Sequence, residues 1–170
     1  EFYEGKLTCG LSKEKQKEIK QHGFTIVKKD SGGTARMSGT ELITPNQHAV
    51  WIDSTFDRNG HYCSEQRPIT TTSRRNEREV RIARQLIDDF NEQIGQRKEE
   101  VPENLWSGDH MLRHLDLEGR LAVGFITFYA DQKNAFREIA NEGDSWARMR
   151  TRWLNLTVRA DTVDRFQGGE

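Results

Sequence analysis

Two stretches in the second half of the chain carry the hydrophobic spacing of β-strands. In residues 154–159 every second residue is apolar, which is typical of a strand with one buried face. Residues 121–126 are almost continuously apolar, which predicts a strand covered on both faces. Polar residues follow both stretches, among them Thr127 and Thr162. A third compact apolar run, residues 49–53, ends in an aspartate and predicts another buried strand.

Between the predicted strands, the spacing of apolar residues changes to that of a helix. Asn76 and Glu79 stand three residues apart, as in a capping box, and mark the start of the clearest helix. Its apolar stripe recurs at steps of three and four residues through Val80, Ala83, Ile87, Phe90 and Ile94. Strands that alternate with helices predict an α/β fold: a three-layer parallel sheet with helices on both faces.

The polar segments suggest how the domain is organised. The chain has 170 residues, enough for one domain with its own core. We expect a single domain over residues 1–170, with insertions at 8–48 and 95–119. Within the second insertion, Trp106 and Leu112 are expected to anchor the segment to the domain.

Composition restricts the functional classes. With 26 Lys and Arg against 27 Asp and Glu, the net charge is -1, so any nucleic-acid-binding surface must be local. Mean hydropathy is -0.88, and no run of residues has the length and apolarity of a membrane-spanning helix. Two cysteines are too few for a disulfide framework, so a cytoplasmic location is the expectation.

Metal-binding and catalytic motifs are not evident. His61 and Cys63 have no second pair of ligands nearby, and His110 and His114 lack the glutamate that a zincin motif requires. No Walker A motif is present, because Gly-Lys-Ser/Thr does not follow the Gly-Gly of residues 32–33. We therefore assign no metal ligand and no catalytic residue in this chain.

The end of the chain carries the most specific motif. Residues 162–170 read Thr-Val-Asp-Arg-Phe-Gln-Gly-Gly-Glu directly behind the alternating strand. Short-range signals alone leave a hairpin turn and a ligand-binding loop about equally favoured. The segment resembles motif V of superfamily 1 helicases, in the branch that contains the nonsense-mediated-decay RNA helicase and its bacterial relatives.

Two further segments resemble the same family in the same order. The Ser-x-x-Asn-x-x-Glu pattern of residues 73–79 precedes a long helix, as it does in the family. Residues 121–132 are similar to Ile-Gly-x-Ile-Thr-Pro-Tyr-x-x-Gln, although Phe128 replaces the family proline. Gly169 likewise stands where many relatives have arginine. The resemblance implies a second RecA-like motor domain of an ATP-dependent helicase.

The resemblance also implies individual roles. Glu170 matches the glutamate that hydrogen-bonds the ATP ribose, and Gly168 allows close approach of the backbone to the nucleotide. Thr127 and Thr162 are expected to contact the nucleic-acid backbone. Asn76 is most simply a helix cap, with contact to the strand as a second possibility.

For the cofactors and partners, the family implies ATP and Mg²⁺, single-stranded DNA or RNA, and a first RecA-like domain that supplies the missing Walker A motif. We expect this chain, read as a piece of a longer protein, not to hydrolyse ATP by itself. The competing hypothesis from another class is a non-catalytic α/β module that binds protein or nucleic acid. DNA and RNA are not distinguished by the sequence.

Overall fold

The computed structural model describes residues 12, 14–15, 21–29, 36–56, 59–67, 69, 71–140 and 153–167. The chain divides into two compact units, residues 1–50 and 51–170. Gly168 and Glu170, predicted to contact ATP, lie outside the described residues.

The first unit contains an antiparallel pair of strands within the predicted insertion at 8–48. Strand β1 (Ile26–Lys29) pairs with β2 (Arg36–Ile43), and Ile26 lies opposite Ile43. Phe24 and Ile26 are buried. Strand β2 has no alternating apolar pattern, which is why the sequence did not predict it.

The second unit carries the helices and the parallel strands. Its elements, in chain order, are helix α1 (Glu77–Glu100), two 3₁₀ helices (Glu103–Gly108 and Leu112–His114), strand β3 (Leu121–Thr127), helix α2 (Ala130–Ala140), strand β4 (Leu156–Thr162) and the short helix α3 (Val163–Gln167).

Strands β3 and β4 pair in parallel over their whole length. Leu121 lies opposite Leu156, and Thr127 lies opposite Thr162 at the other end. The prediction that these two segments run side by side in the same direction is confirmed. The result is a mixed α/β unit with a parallel pair and helices, compatible with a RecA-like fold.

One face of the parallel pair forms the core. The rings of Phe125 on β3 and Phe136 on α2 stack with centroids 4.2 Å apart, and the Trp153 ring stacks with Phe136 at 6.4 Å. Phe136 and Trp153 are almost completely buried. On the opposite face of β3, Ile126 keeps 56% of its surface exposed. The expectation that β3 is covered on both faces is therefore wrong for the part of the chain that the structure describes.

Residues 49–53 do not form the third predicted strand. Within the described part of the chain they are assigned to no strand, and Trp51 is 94% exposed. The Asp53 carboxylate accepts a hydrogen bond from the backbone N–H of Thr55 at 2.8 Å. Such a local Asp turn competes with strand pairing, and an apolar run that contains tryptophan does not by itself produce burial.

Helix α1 extends past Gly95, where the sequence placed the start of an insertion. A side chain at Gly95 would bring its Cβ to 3.0 Å from Nδ2 of Asn155. This glycine therefore reflects close packing of the helix against the turn before β4, rather than the end of the helix. Leu112, expected to anchor the following segment, is buried. No helix in the described ranges is long and apolar enough to cross a bilayer.

Candidate functional site

Both threonines predicted to contact nucleic acid lie at the carboxyl end of the parallel pair. Thr127 and Thr162 are cross-strand partners at the last position of their strands. The Oγ1 of Thr127 accepts a hydrogen bond from the N–H of Tyr129 at 3.3 Å, which fixes the turn that leads into α2. A threonine hydroxyl that accepts one hydrogen bond can still donate its own hydrogen. Two threonines are thus presented together where ligands of parallel α/β sheets commonly bind.

Asn76, the third predicted strand-binding residue, caps helix α1. Its Oδ1 accepts hydrogen bonds from the N–H groups of Arg78 (3.0 Å) and Glu79 (3.4 Å). Its Nδ2 donates to the Glu79 carboxylate at 3.2 Å. Asn76 is buried. The expected capping role is therefore present in the geometry, and both polar atoms of the side chain have partners within the chain.

Gln132 joins the start of α1 to the start of α2. Its Oε1 accepts from the N–H of Asn76 at 2.6 Å, and its Nε2 donates to the Asn76 carbonyl and to the Glu79 carboxylate. Only 6% of Gln132 is exposed. A buried amide with all these hydrogen bonds made fixes the distance between the two helices, because losing any partner would leave a buried polar group unsatisfied.

A second set of hydrogen bonds reinforces this junction. The Oγ of Ser73 accepts from the N–H of Asp131 in the first turn of α2 at 3.1 Å, and Thr71 donates to the Asp131 carboxylate at 2.5 Å. The N-termini of α1 and α2 therefore meet beside the carboxyl ends of β3 and β4. We call this region, residues 71–79, 127–133 and 161–162, the carboxyl-end junction.

Arginines are concentrated at the start of α1. Between residues 74 and 84 there are five arginines and two glutamates. Arg74 donates to Glu65 at 2.8 Å, and this hydrogen bond is the main cause that raises the pKa of Arg74. Arg81 pairs with Glu77 one turn along the helix and remains well exposed. The segment is locally basic although the whole chain is nearly neutral.

Asp161 brings a buried carboxylate to the junction. Burial favours its neutral form, but the N–H of Thr162 donates to it at 3.0 Å and Lys133 lies 3.8 Å away. Together with the nearby Arg165 and Arg137, these groups hold the pKa of Asp161 below its usual value. The sequence did not single out this residue, although its place at the polar end of an alternating strand was the available signal.

The turn between β3 and α2 exposes two aromatic side chains. Phe128 is 83% exposed and Tyr129 is 38% exposed. Phe128 occupies the position at which the sequence departs from the helicase pattern. The turn is held by the Thr127 hydroxyl on one side and by the first turn of α2, in which the Lys133 N–H bonds the Tyr129 carbonyl, on the other.

The structure thus brings Asn76, Thr127 and Thr162 to one region of the second unit. No group of three metal-ligating side chains occurs among the described residues. A family model described as an AAA domain matches residues 1–170. The chain belongs to this AAA-domain family. The family is associated with superfamily 1 helicases, which agrees in general terms with a domain that acts on nucleic acid at the expense of a nucleoside triphosphate. Searches of curated proteins and of solved structures gave no match.

Proposed function

We propose that this chain of the AAA-domain family is the second motor domain of an ATP-dependent superfamily 1 helicase or translocase, in the branch of the nonsense-mediated-decay helicase. In this proposal the carboxyl-end junction is part of the track for a single strand of DNA or RNA. The observation that carries the proposal is the in-register pairing of Thr127 with Thr162 beside the N-termini of α1 and α2.

The chemistry of the junction suits a phosphate backbone. The first N–H groups of α1 and α2 are bonded by Asn76 and Ser73, but the partial positive charge of a helix N-terminus still favours an anion nearby. The threonine hydroxyls add neutral donors, and the arginines of residues 74–84 add formal positive charge. Such groups position a strand without reading its sequence, because every nucleotide presents the same phosphate.

A role as second motor domain further requires a complete RecA-like sheet and a first RecA-like domain. The parallel pair β3–β4 would form part of a three-layer sheet, and ATP and Mg²⁺ would be held between the two domains. Gly168 and Glu170 are this chain's proposed contacts to the nucleotide. Closure of such a cleft on ATP and its opening after hydrolysis would move the threonines along the strand.

The track is tested by titrating fluorescent single strands of DNA and of RNA with the 170-residue chain at low ionic strength. The double variant T127V/T162V removes both hydroxyls with little change in side-chain volume; it also removes the acceptor of the Tyr129 N–H, so thermal unfolding of the variant is measured alongside. Because a hydrogen bond to a charged group contributes about 1.5–3 kcal/mol, we expect affinity to fall roughly tenfold or more for every sequence.

The matched control is Thr157→Val, which changes an exposed threonine of the same strand away from the junction. It should bind like the wild type. Equal loss in both variants, or no binding of any strand by the wild type, would contradict the proposed track.

ATP hydrolysis provides an independent test. The chain alone has no Walker A motif and is expected to be inactive. A metal-dependent ATPase rate from the pure chain would contradict the assignment as a second motor domain.

A further inference from the structure

The exposed aromatic turn at the carboxyl-end junction has no role in the contacts described so far. Phe128 is 83% exposed, whereas Phe125 on β3 stacks against Phe136 in the core. An exposed aromatic ring beside a proposed strand track can stack on a base.

The position of Phe128 places it beside the proposed track. It follows Thr127 directly, and consecutive Cα atoms are about 3.8 Å apart. The turn that carries it is fixed by the hydrogen bond from Tyr129 N–H to Thr127 and by the tie between Ser73 and Asp131. The aromatic ring therefore projects from a turn that is anchored on both sides.

The charge around the turn selects the class of ligand. Arg74 directly follows Ser73, whose hydroxyl bonds the Asp131 N–H at the start of α2, and the Arg74 side chain, paired with Glu65, keeps 54% of its surface exposed. Aromatic rings interleaved with cations and hydroxyl donors match a single strand, which offers a flat base beside each phosphate. An apolar protein partner would not require the cations.

We propose that Phe128 is a stacking platform for a base of the single strand whose backbone Thr127 and Thr162 contact. This inference rests on the proposed function and adds to it a residue that stacks on a base of the strand. Stacking is tolerant of sequence because every base has a π face, so Phe128 would increase affinity for any strand without selecting one. A proline at this position, as in the related motif, would lack this platform.

The experiment compares Phe128→Ala, Phe128→Leu and Phe128→Trp by fluorescence anisotropy with homopolymer strands and with a strand of abasic sites of the same length. Loss of one stacked base costs about 1–3 kcal/mol, so F128A should bind each homopolymer roughly five- to 150-fold more weakly. F128L should resemble F128A, because leucine is apolar but has no ring. F128W should bind at least as well as the wild type.

The abasic strand separates stacking from backbone contact. The wild type and F128A should bind it equally, and the salt dependence of binding should not change in F128A. The control L117A alters another fully exposed apolar residue of the second unit and should leave binding unchanged. Thermal unfolding of each variant is measured alongside and is expected to match the wild type.

The outcomes distinguish the two proposals. If the wild type binds strands but F128A binds them equally well, or if F128L behaves like the wild type, the stacking role is overturned and the track remains. If the wild type binds no strand of either kind, the proposed function falls and the stacking role falls with it.

Discussion

The two ends of the β3–β4 pair are tied to helix α1 by similar amide side chains but differ in what they leave exposed. At the carboxyl end Gln132 links α2 to the start of α1. At the amino end Asn155 links the start of β4 to the end of α1, through Asn91 and Lys98. Each end therefore has a hydrogen-bonded connection that fixes the helix against the strands.

Several side chains at the amino end contact one another, although Leu154 before β4 stays 70% exposed. Lys98 lies over the ring of Trp106, 5.5 Å from its centroid, and burial lowers the pKa of this lysine. Leu112 is buried, and Asp109 accepts hydrogen bonds from Arg97 and from two backbone N–H groups. The carboxyl end instead leaves Phe128, Arg74 and Arg81 exposed. Polar groups at both ends are hydrogen-bonded within the chain, and the carboxyl end adds exposed cations and an exposed aromatic ring.

The largest expected effect comes from the core that both ends share. Phe136→Ala would remove the ring that stacks with both Phe125 and Trp153 and should lower the free energy of unfolding by about 3–5 kcal/mol. Phe136→Leu keeps most of the volume and should cost less than about 1.5 kcal/mol. Urea unfolding monitored by tryptophan fluorescence measures both. If both variants lost the same small amount of unfolding free energy, the aromatic stack would not be a main source of stability in the second unit.

The next prediction separates the two ends directly. Gln132→Ala leaves buried polar groups without partners, and Asn155→Ala leaves part-buried ones, so each should lower the free energy of unfolding by about 1–3 kcal/mol. Only Q132A should also weaken strand binding, because it loosens the junction that presents Thr127. Asn134→Ala, an exposed change on α2, is the control for both measurements. Equal loss of binding in Q132A and N155A would remove the functional distinction between the ends.

The pH dependence of stability tests the carboxylates at both ends. Burial opposes ionisation of Asp109, but hydrogen bonds from Arg97 and from the backbone outweigh it and lower its pKa. The pKa of Asp161 is lowered as well. A carboxylate with a lowered folded-state pKa stabilises the fold above its unfolded value of about 3.9, and this contribution is lost as pH falls through the folded value.

Unfolding free energy should therefore decline as pH is lowered below about 4. Asp109→Asn keeps an acceptor for the backbone N–H groups but loses the charge, and should cost about 1 kcal/mol at neutral pH after allowance for the exposure of Arg97. Denaturant titrations at a series of pH values measure the effect. A decline of the same size in D109N and the wild type would assign the acid sensitivity to other groups.

The sequence predicted local elements better than their surroundings. The alternation of residues 154–159 and the cap at Asn76 depend on near neighbours, and both the β4 strand and the capped α1 helix are present. Whether the second face of β3 is covered, and whether residues 49–53 pair with a strand, depends on segments far away in the sequence. The spacing of apolar residues does not encode such contacts. The insertion was expected to begin at Gly95, whereas α1 continues to Glu100; the close approach of Asn155 to Gly95 comes from a segment sixty residues away and leaves no local sequence signal.

The candidate site shows the same limit. The family resemblance indicated Thr127 and Thr162, and the structure shows them paired, while their contact with nucleic acid stays a prediction. The Ser73–Asp131 tie and the buried Asp161 emerged only in three dimensions, because neither has a sequence signature beyond a polar residue near the end of an element. Sequence spacing predicts which residues lie together only when those residues belong to the same helix or the same strand.

The smallest expected effect distinguishes charge from structure at the carboxyl end. Arg74 is exposed, and its ion pair with Glu65 lies at the protein surface, where such pairs contribute little. Arg74→Ala should therefore leave the unfolding midpoint unchanged. If Arg74 neutralises a phosphate, its removal should weaken binding about equally for all strands and lower the slope of log affinity against log salt by about one. Arg113→Ala, at the amino end, should leave that slope unchanged. Equal slopes in the wild type and R74A would mean that the strand does not pass Arg74, and would restrict the track to the threonines and the turn at Phe128.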